Sequence, residues 1–106
     1  MSALAAIFHR TGAPADEEHT DRMLRTMRNY GEGAPRSHAH GPASVGAIQY
    51  FATPEARRAD QPIVGAGGGR LGVFELRIDN RDELISKLGH AAAEDRPSDE
   101  DLAMWA

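Results

Sequence analysis

Ser2 stands directly behind Met1 and is small enough that loss of the methionine is expected. That would leave a hydroxyl beside a free α-amino group titrating near pH ~7.8, an amine able to take a proton from its neighbour. Two other groupings invite a chemical reading. His38-x-His40 offers two imidazoles and could be half of a metal site, but no carboxylate or third histidine stands at ligand spacing around it. The pair reads as loop histidines without metal. Gly65-Ala66-Gly67-Gly68-Gly69-Arg70 has the glycine content of a phosphate loop, yet it lacks the Lys-Ser/Thr of a nucleotide-binding motif and no helical pattern follows it. It reads as the connection of a hairpin.

Two stretches carry more specific information. Met1-Ser2-Ala3-Leu4-Ala5-Ala6-Ile7-Phe8 opens the chain, and Glu75-Leu76-Arg77-Ile78-Asp79-Asn80-Arg81-Asp82-Glu83-Leu84 follows much later. Together they resemble the glutamine-hydrolysing N-terminal domain of the asparagine synthetase family, a class II amidotransferase of the N-terminal-nucleophile type. That family opens Met-Cys-Gly-Ile-Ala-Gly-Ile-Phe and later carries Asn-Gly-Glu-Ile-Tyr-Asn-x-x-Glu-Leu. The resemblance is dense at residues 1–12, 61–62 and 70–102.

What it implies about the site is mostly loss. Ser2 takes the place of the family's nucleophilic cysteine. Glu75 and Leu76 take the places of its oxyanion-hole Asn-Gly, so a carboxylate stands where a hydrogen-bond donor is needed. Losing one such donor costs roughly 100- to 1,000-fold in rate. Gly46-Ala47-Ile48-Gln49-Tyr50 replaces a strand whose arginine holds the substrate carboxylate, with Gln49 at or beside that position. Tyr30-Gly31-Glu32-Gly33-Ala34-Pro35 likewise departs from the family's Arg-Gly-Pro-Asp loop. Ser98-Asp99 keeps the Ser-Asp of a motif whose aspartate binds the glutamine α-amino group, and it reads equally as a helix cap.

Composition narrows the class. A chain of 106 residues makes one domain at most, burying roughly 65% of its unfolded surface. Twelve basic against 16 acidic residues give a charge of −4, with no clustered basic excess for a nucleic acid or an anionic membrane. The absence of cysteine excludes disulfides and thiolate metal sites. The apolar run 3–8 has no basic leader and is too short for a signal sequence or a membrane span, so a cytoplasmic protein is expected.

The elements that must position these residues follow from pattern. Residues 3–8 predict a buried strand. Thr11 to Pro14 is turn chemistry, and Asp16 to Tyr30 predicts a helix with an acidic first turn and an apolar stripe of Met23, Leu24, Met27 and Tyr30. Gly31 to Pro42 reads as loop and Ala43 to Thr53 as strand. Ala56 to Asp60 is a charged connection. Gln61 to Val64 and Arg70 to Ile78 predict two strands around the glycine run. Arg81 to Leu88 predicts a helix with Leu84, Ile85 and Leu88 inward, and a polar loop leads to Ser98, which predicts the cap of a last helix.

The expectation is therefore an α+β fold, the first half of an N-terminal-nucleophile sandwich of antiparallel sheets with flanking helices. Residues 1–106 would form a partial class II glutamine amidotransferase-like domain at the front of a longer protein. By resemblance its function is that of a degenerate scaffold in an ATP-dependent amide-bond-forming enzyme, of the lasso-peptide cyclase or β-lactam synthetase type. No cofactor is expected in this chain; ATP and Mg belong to a C-terminal synthetase domain or separate synthetase chain, which is the expected partner. An N-terminal-serine amidohydrolase, a glutaminase supplying ammonia, and a stand-alone fragment that binds a partner or a second copy are the other readings.

Overall fold

The computed structural model describes residues 1–51, 54, 57, 60–89 and 97–106. It is an α+β domain with two antiparallel sheets. A three-stranded sheet is built from β1 (Ala3–Phe8), β2 (Arg36–His40) and β3 (Ala43–Ile48) in the order β1-β3-β2. Helix α1 (Glu17–Thr26) packs on one face of it. A two-stranded ladder of β4 (Ile63–Val64) and β5 (Leu71–Gly72) follows, then α2 (Arg81–Leu88) and α3 (Asp99–Trp105), which pack together.

Register decides what α1 covers. Ala3 pairs with Ile48, Ala5 with Gly46 and Ser37 with Gly46, so these residues share the face beneath the helix. Ala3, Ala5, Leu24 and Ile48 form the buried cluster, with Met27 against its side. Small residues on the sheet let the helix approach. A Cβ on Gly46 would come within 2.7 Å of Leu24 Cδ1 and 2.6 Å of Ser37 Oγ. Hydroxyl bonds fasten the layer: buried Thr20 Oγ1 donates to Ser44 Oγ at 2.6 Å, and half-buried Ser37 Oγ to Asp21 Oδ1 at 2.6 Å.

The helix starts as its sequence dictates, with the Asp16 carboxylate accepting from Glu18 N–H at 2.9 Å. It stops four residues before the predicted Tyr30. The Thr26 hydroxyl turns back to Met23 O at 2.7 Å, and the chain then turns through Gly31, at φ +88, against the backbone of Ile48. The inward stripe is accordingly Thr20, Leu24 and Met27, while Met23 and Tyr30 are exposed.

Three strand expectations are corrected. The stretch Gly31 to Pro42, expected as loop, contains β2. Its polar Arg-Ser-His-Ala-His carries little strand signal, but an edge strand tolerates polar residues. Gly41, at φ +55, and Pro42 form the two-residue connection to β3. The strand from Ala43 ends at Ile48; Thr53 lies outside the described residues. Of Arg70 to Ile78, only Leu71–Gly72 pairs in a sheet, and the glycine run is the hairpin connection expected. Ala56 and most of the polar loop, residues 90–96, also lie outside the described residues.

Helix α2 carries Glu83 and Lys87 one turn apart, Lys87 Nζ lying 2.8 Å from Glu83 Oε1. The Lys87 hydrogen bond, with help from Asn80, lowers the Glu83 carboxyl below its ordinary value. Leu84, Ile85 and Leu88 are half-buried rather than fully inward. Helix α3 opens with a capping box between Ser98 and Asp101. Among the described residues no helix is long and apolar enough to cross a membrane.

Candidate functional site

Ser2 and Glu75 lie 73 positions apart and meet. The Ser2 backbone N–H donates to Glu75 Oε2 at 2.8 Å, and the Ser2 hydroxyl oxygen accepts the Tyr50 N–H at 2.8 Å. β1 positions the serine at its start. The segment leaving β5 positions Glu75, and the end of β3 positions Tyr50. Leu76, next along that segment, is half-buried.

The segment carrying Glu75 is held by a residue that the sequence reading did not single out. Gln61 is 2% exposed, and its side-chain amide grips Phe74 like a strand partner: Phe74 N–H donates to Gln61 Oε1 at 2.6 Å, and Gln61 Nε2 donates to Phe74 O at 3.0 Å. Gln61 N–H in turn donates to Gln49 Oε1 at 3.1 Å. Gln49 is buried, and its carbonyl oxygen accepts Glu32 N–H at 2.7 Å and Gly33 N–H at 3.2 Å. Its polar atoms serve as internal connectors. A cleft of about 180 Å³ beside them is lined by Ala47, Gln49, Phe51 and Gln61, with the exposed pair Arg36–Asp60, 2.9 Å apart, at its rim.

Asp99 lies in a different cluster. One carboxylate oxygen accepts Ile78 N–H at 2.8 Å and the other pairs with the Arg81 guanidinium, which also reaches Pro97 O. Ser98, not Asp99, caps α3. Both Asp99 oxygens are thus committed to joining the Ile78 segment, α2 and α3, an occupation that competes with any ligand amine. Asp99→Ala is expected to lower stability by about 2 kcal/mol, the worth of charge-assisted hydrogen bonds at a largely buried carboxylate. Urea denaturation measures it, and a loss under about 0.5 kcal/mol would mean that those bonds contribute little. Glu100 beside it is buried with Oε2 unpartnered among the described residues, and the positive end of the helix offsets part of that cost.

His38 and His40 sit on β2, and no group of three His, Cys, Asp or Glu able to hold a metal occurs among the described residues. The structure therefore brings together Ser2, Tyr50 and Glu75, reaches Gln49 through Gln61, and keeps Asp99 apart in the α2–α3 cluster. A buried glutamine at position 61 has no periodicity to reveal it; its one sequence signal is a polar residue at the start of a short apolar run. No family model, curated protein or solved structure matches this chain.

Proposed function

We propose that this chain is a degenerate glutaminase-like domain that serves as a scaffold. In this reading it is part of the N-terminal-nucleophile sandwich of an asparagine-synthetase-like enzyme. The ATP- and Mg-dependent amide-bond formation belongs to a partner synthetase domain or chain. Where the acyl-adenylate is attacked by an amine of the substrate itself, no ammonia is needed and the glutaminase site is free to decay.

The observation that carries the reading is the Ser2 N–H to Glu75 contact at 2.8 Å. In this reading Ser2 and Glu75 stand for the nucleophile and the oxyanion asparagine, and their contact supports it as a site that has kept its neighbours but holds the wrong groups. A hydroxyl attacking an amide from Ser2 would generate negative charge near a carboxylate instead of near a donor. Gln49 offers a neutral amide, engaged with Gln61, where an arginine would bind a substrate carboxylate. The exposed end of the main sheet fits the scaffold role as well. Phe8 is 68% exposed on the face away from α1, a surface that a second layer would cover.

The expected result is no glutamine hydrolysis above the buffer rate. Ser2→Cys should not restore it, because parts that act as a unit are not repaired singly. The check is covalent labelling of Ser2→Cys by a glutamine-analogue electrophile, read by intact mass, beside an assay of glutamate release. Glutamine-protected labelling of the single variant, or glutamate release abolished by Ser2→Ala, would replace the scaffold with an amidohydrolase that uses Ser2.

A further inference from the structure

The two edges of the main sheet are finished differently. The bond from His9 N–H to Pro42 O, 2.9 Å, continues the β1–β3 register and fixes which backbone groups face which way. Ala3, Ala5 and Ile7 exchange their bonds with β3, so the N–H and C=O of Leu4, Ala6 and Phe8 point out from the sheet. On the opposite edge the same alternation turns Ala39 N–H outward, where Glu17 Oε1 accepts it at 2.9 Å. That edge also carries Arg36, His38 and His40. On β1 the outward N–H of Ser2 is taken by Glu75 at 2.8 Å, but among the described residues those of Leu4, Ala6 and Phe8 have no acceptor. Residues 3–8 hold no charge, no proline and no bulge, the devices that keep an edge strand from pairing. We propose that β1 is the interface with a second copy of this chain, the two strands pairing antiparallel about a two-fold axis at Ala6.

Three observations select a second copy over a foreign strand. The outward positions complement themselves: with Ala6 facing its counterpart, each Leu4 lies opposite a Phe8, and every outward N–H and C=O meets a partner. Their side chains share the face away from α1, where Phe8 is 68% exposed, and the small Ala6 on the axis leaves room for both Phe8–Leu4 contacts. The ends also match in charge. Extending the register puts Arg10 of one copy opposite Ser2 of the other, beside the exposed Glu75 carboxylate. There the incoming chain leaves the edge, because Gly12 N–H turns back to His9 O at 3.0 Å. Finally, the helices clear each other. Gly46 places α1 over β3, and the β3 strands of the two copies stand three strand spacings apart, about 14 Å. Helices pack at about 8–10 Å, so the two α1 do not collide. Of the glutaminase-like positions only Glu75 takes part, through its charge, so glutamine hydrolysis would overturn the scaffold reading and leave this pairing intact.

Sedimentation equilibrium of the full chain tests it. A monomer–dimer equilibrium is expected, abolished by Ala6→Pro, which removes an outward N–H and costs the β1–β3 ladder no bond. Circular dichroism checks that this variant folds; should it not, crosslinking decides. Ala6→Cys gives the chain its single thiol, and paired Cα atoms about 5.5 Å apart lie within disulfide reach. Oxidation is expected to yield a covalent dimer, whereas Ala39→Cys on the other edge is expected to yield little. Arg10→Glu and Glu75→Arg are each expected to weaken association about tenfold through two symmetry-related exposed pairs, and the double exchange to restore it. A chain that stays monomeric at every accessible concentration overturns the proposal, as it would if another segment or a different protein covered β1. So does a dimer that persists in folded Ala6→Pro, or crosslinking as ready at position 39 as at position 6.

Discussion

Gln61→Leu is expected to cost about 2–4 kcal/mol and to release the segment that carries Glu75. The leucine nearly matches the glutamine in size, so packing changes little; what goes is a pair of hydrogen bonds. Phe74 N–H and Phe74 O both lose their partner, from contacts of 2.6 and 3.0 Å. A polar group left unsatisfied costs about 1–3 kcal/mol, less where water reaches it. Phe74 is only half-buried, which keeps the sum below the maximum. Set against a typical 5–15 kcal/mol for a domain, the loss is large. Urea denaturation measures it, and hydrogen exchange at the Phe74 amide, whose N–H Gln61 Oε1 accepts, reads the local release. A loss below about 0.5 kcal/mol would mean that Gln61 fills space rather than holding the Phe74–Glu75 segment. Gln61→Glu is expected to be worse than leucine, because it places a charge in a 2% exposed position opposite Phe74 O.

The same residue marks the limit of what the sequence discloses. Elements defined by local rules were legible: the apolar run of β1, the acidic start of α1, the Ser98 cap, and the hairpin built on Gly65 to Gly69. β2 was hidden because its side chains are polar and its strand character comes from pairing with β3, a non-local cause. Met23 and Tyr30 lie on an apolar stripe by spacing, yet α1 turns Thr20 and Leu24 to the sheet and ends before Tyr30. Which half of the stripe is buried depends on where Gly46 permits close approach. At the site, motif order alone suggested that the regions of Ser2 and Glu75 belong together. The sequence held no sign that their contact would be a hydrogen bond from backbone to carboxylate, nor that Asp99 would be spent on Ile78 and Arg81.

The close approach of α1 to β3 yields the other large effect. Leu24→Ala is expected to cost about 2–5 kcal/mol, the range for emptying a fully buried leucine site. Gly46→Ala is expected to cost about 1–3 kcal/mol by overpacking, since its Cβ would meet Leu24 Cδ1 at 2.7 Å, Ser37 Oγ at 2.6 Å and Arg36 O at 3.0 Å. The two changes address the same space, so they will not add. Shortening Leu24 removes the Cδ1 that the new methyl would strike, and the methyl refills part of the void. The double variant should therefore be more stable than the sum of the singles predicts, by about 1 kcal/mol, within the range for contacting residues. Recovery stays partial because Ser37 Oγ is tied to Asp21 at 2.6 Å and the Arg36 carbonyl belongs to β2, so neither can retreat without breaking a bond. Denaturation of all four proteins closes the cycle. Strict additivity would mean that α1 shifts away from the sheet as a unit when either residue changes, and the close fit over Gly46 would then not be what fixes the helix in place.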